Sequence, residues 1–348
     1  METGNAIELK GVTKRFGDVI ANDNVNLTVR KGEILSILGE NGSGKTTLMN
    51  MLSGIYFPDE GEVYVDGKEV TIRSPKDSFA LGIGMIHQHF KLINILTAAE
   101  NIILGLPGKE KLNMKQVEKE IRELTEQYGF DLNPSQKIYD MSVSQKQTVE
   151  IVKVLYRGAD ILILDEPTAV LTPQETEKLF AVLRNMRKAG KSIIIITHKL
   201  NEVLELSDRV AVLRKGKYID TVETAKATVE SLTEMMVGEK VKLDINRTEP
   251  VGAEKRIEMR GITCKNKEGL KVLTEASFTA YSGEILGVAG ISGSGQKELL
   301  ESVAGLQPIE SGEILYFSPE GTTEKISEMK AEDIKNLGIT LSFVPEDR

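Results

Sequence analysis

A glycine-rich stretch early in the chain restricts the possible fold more than any other feature. Residues 39–46 read G-E-N-G-S-G-K-T, which fits the phosphate-binding pattern G-x-x-x-x-G-K-[ST]. The apolar run 34–38 predicts a buried strand before this loop, and 47–52 predicts a helix that stops at Gly54. A strand, a glycine loop and a helix in this order indicate an α/β domain that binds a nucleoside triphosphate.

The residue types in this loop have separate tasks in phosphate binding. Glycines let backbone N–H groups curl around phosphate oxygens, and the helix N-terminus adds the positive end of its dipole. We expect Lys45 to reach the β- and γ-phosphates and the Thr46 hydroxyl to hold Mg²⁺. Both residues stand where the pattern requires them, which disfavours the alternative of a glycine turn that binds nothing. The predicted phosphate ligands are Gly39, Glu40, Asn41, Gly42, Ser43, Gly44, Lys45, Thr46 and Thr47.

Charge and cysteine content exclude several classes of protein. The 348 residues carry a formal net charge of -8, so the broad basic surface of a nucleic-acid-binding protein is absent. The single cysteine, Cys264, excludes an internal disulfide and suits a reducing compartment. Residues 1–5 lack the features of a secretory signal, and no apolar run approaches the roughly 20 residues of a membrane helix. We therefore expect a cytosolic protein, and the length suggests two domains.

Several sequence blocks occur twice. Residues 7–13, IELKGVT, return as 257–263, IEMRGIT, and the GEIL of 32–35 returns at 283–286. Each block returns 250 or 251 residues later, a spacing far beyond that of solenoid repeats. The sequence therefore predicts a duplicated domain. The second, degenerate phosphate loop would contain Gly290, Gly293, Gly295 and Gln296.

The repeat also sets the predicted domain boundaries. The first domain would span residues 1–240, a polar linker 241–255, and the second copy 256–348. The chain stops soon after 339–344, which has the composition of an interior strand. We therefore expect the second copy to be incomplete and the polypeptide to be truncated at its C-terminus.

Two further apolar runs end in residues that suit nucleotide hydrolysis. The run ILIL at 161–164 leads into Asp165 and Glu166, which would contact the Mg²⁺ sphere and polarise the attacking water, respectively. The run 191–197 predicts another strand, which delivers His198 to its carboxyl end. Ligands of open α/β sheets gather at that edge, so a role for this histidine is favoured over a purely structural one.

Helix start and stop signals bound two long helices. Thr172 and Glu175 form a capping box with a proline between them, and this helix should close at Gly190. Asn113 and Gly129 are the expected cap and stop of another helix, whose charged residues are interpreted as a solvated face. The apolar positions of that helix are Val117, Ile121, Leu124 and Tyr128.

These residues together resemble the ATP-binding cassette (ABC) ATPases over essentially the whole chain. The resemblance implies that Phe16 stacks on adenine, and that Gln88 links Mg²⁺ and water to a transmembrane partner. It also implies that Asp165 and Glu166 are the Walker B pair and that His198 contacts the γ-phosphate. The signature would comprise Ser142, Val143, Ser144 and Gln145.

The family implies the fold and the cofactors as well. We expect an α/β P-loop NTPase with a helical subdomain inserted at about residues 95–147 and an antiparallel β edge, duplicated, with an incomplete second copy. The cofactors would be ATP and Mg²⁺. The catalytic residues would be Glu166, His198 and Gln88, and the Mg²⁺ ligands would be Thr46, Gln88 and Asp165.

The chain departs from the family in two places. The usual signature Leu-Ser-Gly-Gly-Gln is M-S-V-S-Q at 141–145, although Ser144 could still cap the following helix. In the second copy Gln296 replaces the phosphate-loop lysine, with Lys297 one place late, and no aromatic near 265–267 would stack on adenine. In this family each ATP lies between the phosphate loop of one domain and the signature of the other. We therefore predict one weakened site and one competent site, and poor turnover by the chain itself.

Within the family, the chain looks like the tandem-cassette importers of simple sugars, and closest to their nucleoside-uptake branch. This interpretation rests on the second phosphate loop, which carries Gln296, and on segments 84–90 and 156–160. The implied partners are transmembrane permease subunits, a substrate-binding protein acting indirectly, and a paired ABC domain, with no nucleic acid. The protein would lie on the inner face of the cell membrane. His87 and His89 are not read as a metal site, because no third ligand accompanies them.

Two other functions stay open at this stage. Tandem cassettes without membrane partners act in translation and in DNA repair, but the translation factors usually keep both phosphate-loop lysines and carry a long charged linker. Gln296, the short linker and the acidic composition argue against that class. An inactive nucleotide sensor is the third possibility. The sequence is compatible with either solute class, sugar or nucleoside.

Overall fold

The computed structural model describes residues 4–87, 90–106, 113–239, 252–265, 269–290, 293–340 and Ser342. The chain divides into two compact units, Met1–Leu243 and Asp244–Arg348. Most of the segment predicted as a linker lies outside the described residues. No helix in the described part of the chain is both long and apolar enough to cross a membrane.

The first unit contains an antiparallel sheet with strand order β2-β1-β4-β5. In β1 the side chains of Ile7 and Leu9 are buried, whereas Lys10 is exposed, as expected for a half-buried strand. Ile7 pairs with Val65 and Leu9 with Val63 across β1 and β4, so the apolar residues share one face. The strands are β1 (Asn5–Phe16), β2 (Val19–Arg30), β4 (Glu60–Val65) and β5 (Lys68–Val70).

A six-stranded sheet with order β10-β9-β3-β8-β7-β6 forms the centre of this unit. Its inner strands β3, β7 and β8 pair in parallel with their neighbours and are buried along their whole length, which explains their continuous apolar sequences. All three predicted strands are confirmed. The strands are β3 (Ile34–Leu38), β6 (Ile83–Ile86), β7 (Ile161–Asp165), β8 (Ser192–Ile196), β9 (Arg209–Arg214) and β10 (Lys217–Glu223).

Alternate side chains of the central sheet pack on its two opposite faces. Ile37 and Ile163 pack with α1 and the antiparallel sheet on one face, whereas Leu162 and Ile193 pack with α6 on the other. Helix α6 begins at the predicted capping box and carries proline in its first turn, which confirms that prediction. The helices around the sheet are α1 (Lys45–Leu52), α2 (Pro75–Ala80), α6 (Pro173–Lys188), α7 (Leu200–Leu206) and α8 (Val229–Val237).

A helical subdomain lies between β6 and β7 in the sequence and has its own apolar core, in which Ala99, Ile121 and Val149 are buried. The predicted cap and stop of α4 are both confirmed. The Asn113 side chain accepts the N–H of Gln116, and Gly129 ends the helix in a left-handed conformation. The helices are α3 (Ala98–Ile103), α4 (Met114–Tyr128) and α5 (Val143–Tyr156).

The second unit has an antiparallel sheet of order β12-β11-β13-β14, the same order of pairing as in β2-β1-β4-β5. Unusual backbone conformations recur with it: the positive φ of 49° at Asn24 returns as 52° at Glu275. Of the interior strand expected at 339–344, Ile339, Thr340 and Ser342 are described and none of them lies in a strand. The elements are β11 (Lys255–Lys265), β12 (Lys271–Tyr281), α9 (Gln296–Val303), β13 (Ser311–Phe317), β14 (Thr323–Lys325) and α10 (Ala331–Asn336).

Candidate functional site

Three neighbouring strands bring the predicted catalytic residues to one sheet edge. Because β3, β8 and β7 are adjacent and parallel, their carboxyl ends meet there. Lys45 follows β3, Asp165 is the last residue of β7, and His198 comes two residues after β8. This is the edge at which ligands of open α/β sheets bind.

The phosphate loop approaches neighbouring backbone so closely that two of its glycines leave no room for a side chain. A Cβ at Gly39 would lie 2.3 Å from the Leu213 carbonyl oxygen, and a Cβ at Gly44 would lie 2.3 Å from that of Ala21. Gly44 also has φ 94° and is the N-cap of α1. The glycines are therefore required for the packing of the loop as well as for access of phosphate to its N–H groups.

Lys45 is buried beneath the loop. Its Nζ donates to the carbonyl oxygens of Gly39 at 2.7 Å and Glu40 at 2.8 Å. Burial lowers the pKa of Lys45 below its ordinary value, and the negative charges of Glu166, Asp165 and Glu40 oppose that shift. The loop thus holds a single ammonium group beside the N-terminus of α1, an arrangement suited to an anionic ligand.

Thr46 and Asp165 place two oxygen ligands side by side. The Thr46 hydroxyl donates to Asp165 Oδ2 at 3.3 Å. Burial raises the pKa of the Asp165 carboxyl; the Thr46 hydrogen bond and the charge of Lys45 oppose this, and the charge of Glu166 adds to it. No group of three or more His, Cys, Asp or Glu residues in the described ranges could hold a metal by itself. One carboxylate and one hydroxyl beside a phosphate site fit Mg²⁺, which prefers oxygen ligands and commonly shares them with phosphates.

Glu166 and His198 form a hydrogen-bonded pair. His198 Nδ1 lies 2.8 Å from Glu166 Oε1, and the Glu166 N–H donates to the Ile196 carbonyl at 2.9 Å. Glu166 has φ 50°, which is uncommon for a residue with a side chain and marks a constrained backbone. A carboxylate held by an imidazole in this way can accept a proton from water.

Phe16 lies at the end of β1 with 44% of its surface exposed. Its ring meets that of Tyr56 edge to face, with the centroids 5.1 Å apart. The Lys14 ammonium lies 5.5 Å from the same ring. An exposed aromatic side chain with fixed neighbours provides a surface on which a planar group can stack.

The signature segment differs from the prediction at one residue. Ser142, not Ser144, caps α5, because the Ser142 hydroxyl accepts the Gln145 N–H at 3.2 Å and Gln145 Oε1 accepts the Ser142 N–H at 3.0 Å. This reciprocal pair is a capping box, which needs a Gln or Glu three residues after the cap. Ser144 lies inside the helix, where its carbonyl accepts the Thr148 hydroxyl. Val143 is 43% exposed at the helix start.

Gln88, the predicted Mg²⁺ ligand, lies outside the described residues, as does His89. The structure adds Gln147 to the candidate site, a buried residue of α5 that belongs to none of the sequence motifs. Its Nε2 donates to the Pro167 carbonyl at 2.7 Å and so joins the signature helix to the segment after Glu166. The available signal was a glutamine at helical spacing from the buried Ile151 and Val154.

Thr168 is the second residue that sequence reasoning missed. It is buried, and its hydroxyl donates to Glu202 at 2.5 Å. The Lys199 ammonium donates to the Thr168 carbonyl at 2.9 Å and pairs with Glu202 at 3.0 Å. These contacts join the segment after β7 to the start of α7, close in sequence to His198.

The second unit repeats the left-handed glycines of the phosphate loop but not its lysine. Gly295 has φ 88° and is the N-cap of α9, as Gly44 is of α1. Gln296 Nε2 donates to the Val288 carbonyl at 3.4 Å. Lys297 is exposed and lies 3.8 Å from Glu301, so its ammonium is not beneath the loop as that of Lys45 is.

Comparison with known proteins places these features in context. The ABC transporter family matches residues 22–169. The nucleoside import ATP-binding protein NupA of Lactococcus lactis subsp. cremoris is 46% identical over 100% of this chain and 68% of its own length. The guanosine import ATP-binding protein NupO of Bacillus subtilis is 44% identical over 98% of this chain and 66% of its own length. The chain thus spans about two thirds of the length of these relatives.

Solved structures agree with this comparison. A crystal structure of the ADP conformation of an ATP-binding cassette of an ABC transporter matches with a TM-score of 0.59 and 27% identity, covering 68% of this chain and 96% of the other. The dimeric structure of a bacterial ABC transporter cassette matches with a TM-score of 0.55 and 30% identity, covering 63% of this chain and 98% of the other. The α/β P-loop cassette fold with its mixed sheets is therefore confirmed.

Proposed function

Because this chain belongs to the family of ABC transporter ATP-binding proteins, we propose that it binds ATP at the first phosphate loop and hydrolyses it to drive solute import. One observation carries the proposal. The buried ammonium of Lys45, the Thr46–Asp165 pair and the Glu166–His198 pair converge on a single sheet edge. A charge clamp, two metal ligands and a positioned base are the parts that phosphoryl transfer to water requires.

In this proposal the loop binds the triphosphate and Phe16 stacks on the adenine. The N–H groups at the start of α1 and the Lys45 ammonium offset the negative charge of the phosphates. Mg²⁺, when bound, would neutralise charge on the β- and γ-phosphate oxygens. Thr46 and Asp165 would hold it, and Gln88 remains a third proposed ligand.

Glu166 would polarise the attacking water and accept its proton. His198 would fix the Glu166 carboxylate through the 2.8 Å contact of Nδ1, which leaves Nε2 as the ring atom for the γ-phosphate. Gln147 would position the segment that follows Glu166 by donating from α5 to the Pro167 carbonyl. Lys199 and Glu202, at the start of α7, would hold Thr168 in that same segment. The active arrangement would be completed by the signature of another cassette.

The second unit would be a duplicated cassette with a weakened site. The recurring strand order and the left-handed Gly44 and Gly295 support duplication. Gln296 supplies an amide donor in place of the Lys45 ammonium, so nucleotide could bind there without comparable charge stabilisation. The signature of the first unit also departs from the family, because Val143 and Ser144 stand in place of both glycines.

The partners proposed are transmembrane permease subunits, with a substrate-binding protein acting indirectly and no nucleic acid. The protein would lie in the cytoplasm on the inner face of the membrane. The two named relatives are import proteins for nucleosides and for guanosine, and a ribose import ATP-binding protein of Caldanaerobacter subterraneus subsp. tengcongensis is 38% identical. Since the two nucleoside importers have the higher identities, nucleosides are the proposed solute class and simple sugars the alternative.

A direct test compares solute uptake by cells that carry the gene with uptake by cells that carry its Glu166→Gln form. Radiolabelled guanosine and ribose should be accumulated with the native gene, the nucleoside more strongly, and neither with the variant. Co-purification should recover a membrane permease. Recovery of ribosomes in its place, with equal uptake in both strains, would favour the translation-factor alternative.

A further inference from the structure

We propose that Asn22 is a positioning residue that orients the backbone amides of the first phosphate loop; this inference rests on the proposed ATP site. Asn22 lies in β2 and is fully buried. Its Nδ2 donates to the Gly44 carbonyl at 3.2 Å, and the same carbonyl accepts the Leu48 N–H at 2.9 Å. Both lone pairs of this loop carbonyl are therefore engaged.

A second hydrogen bond holds the adjacent peptide, whose carbonyl belongs to Ser43. The Gly216 N–H donates to the Ser43 carbonyl at 3.2 Å, and the Gly216 carbonyl accepts the Asp23 N–H at 2.9 Å. Gly216, in the turn between β9 and β10, thus connects the loop to Asp23, the residue after Asn22 in β2. The carbonyls of Ser43 and Gly44 are thus held by two segments that are hydrogen-bonded to each other, β2 and the turn after β9.

The hydrogen bonds to these two carbonyls determine where the loop N–H groups point. In a trans peptide the C=O and N–H bonds point in opposite directions, and the described residues contain no cis peptide bond. Holding the carbonyls of Ser43 and Gly44 therefore directs the N–H groups of Gly44 and Lys45 to the opposite side. Those are N–H groups that the phosphate loop uses to bind an anion.

The cost of Asn22 supports a functional reason for its presence. Its Oδ1 is buried and has no hydrogen-bond partner among the described residues. A buried acceptor without a partner destabilises a fold, and an apolar side chain of similar volume would avoid that cost. The amide is thus explained by what its donor does to Gly44 and not by stability.

The second unit provides a natural comparison. Lys14 pairs with Asn22 across β1 and β2, and Cys264 pairs with Leu273 at the corresponding place in β11 and β12. A Cβ at Gly295 would lie 3.0 Å from carbon atoms of Leu273, so this side chain occupies the same place but has no donor. The second loop thus lacks the hydrogen bond that Asn22 makes to Gly44. This difference is separate from the replacement of the lysine by Gln296.

The test is Asn22→Leu in the 348-residue chain, which installs the residue of the second unit. A fluorescent ATP analogue with Mg²⁺ measures the Kd, and thermal unfolding without nucleotide measures the Tm. We expect the Kd to rise about three- to tenfold, which corresponds to about 0.6–1.4 kcal/mol, while the Tm is unchanged or higher. A residue with a merely structural role would lower affinity and Tm together.

A matched control is Asn50→Leu in α1. The Asn50 Oδ1 is likewise buried without a partner in the described part of the chain, but this residue makes none of the contacts to Ser43 or Gly44 given above. Its Kd should equal that of the native chain. An unchanged Kd for Asn22→Leu, or a joint fall in affinity and Tm, would overturn the inference. Failure of the native chain to bind the analogue would instead refute the ATP site itself.

Discussion

The close approach of Gly44 to Ala21 leads to a prediction that separates backbone strain from steric overlap. In Gly44→Ala the added methyl group would meet the Ala21 carbonyl oxygen at 2.3 Å, with φ at 94°. Gly42 is a matched control, because its φ is 79° and a Cβ there would meet nothing within 4 Å. Both changes carry the left-handed strain, and Gly44→Ala adds a collision with backbone.

The magnitudes follow from these two terms. A left-handed conformation costs a residue with a Cβ about 1–2 kcal/mol, whereas alanine in place of glycine gains about 0.4–1 kcal/mol by restricting the unfolded chain. Gly42→Ala should therefore lower the free energy of unfolding by at most about 1.6 kcal/mol. Real Cβ contacts stay beyond 3.0 Å, so Gly44→Ala requires a shift of 3.0 minus 2.3, or 0.7 Å. Such overpacking adds about 1–3 kcal/mol.

Thermal unfolding and nucleotide binding together measure the effect. For a unit of this size, 1 kcal/mol corresponds to about 2–4 °C, so Gly44→Ala should melt roughly 2–12 °C below Gly42→Ala. Its affinity for a fluorescent ATP analogue should also fall further, since the collision displaces the loop that binds phosphate. Equal melting temperatures and equal affinities for the two variants would show that the loop does not pack against β2 as described.

Three further predictions concern the site and its supporting helix. Glu166→Gln should keep ATP binding but lower phosphate release by about 100-fold or more, because the base is lost; turnover close to the native rate would exclude this residue as the base. Burial raises the pKa of Asp165, so the contribution of this carboxyl to stability falls as the pH rises above about 4 through that pKa. At pH 7, Asp165→Asn should therefore melt higher without nucleotide yet lose the stabilisation by Mg²⁺ and ATP, and a lower Tm without nucleotide would contradict this. Thr172→Ala should cost about 1 kcal/mol, or roughly 2–4 °C in Tm, with unchanged affinity for ATP, because it removes only the cap of α6.

Local sequence predicted those elements whose signals are local. The capping box at Thr172, the cap at Asn113 and the stop at Gly129 each act within one turn of a helix, and the structure confirms all three. The strands β3, β7 and β8 were visible because a strand covered on both faces is apolar throughout. The sequence allows Ser144 as a cap of α5, whereas the structure uses Ser142, because two serines stand within one turn and only the partner Gln145 distinguishes them.

The chemistry of the site is visible along the chain: one phosphate loop with its lysine, a pair of acids after an apolar run and a histidine after another. Their geometry depends on how the strands pair. Pairing of β3, β8 and β7 brings Thr46 within 3.3 Å of Asp165, and His198 within 2.8 Å of Glu166. The contact of Asn22 with Gly44 joins residues 22 positions apart in sequence, and no local pattern reports it. Such contacts depend on strand order and burial, which long-range packing sets.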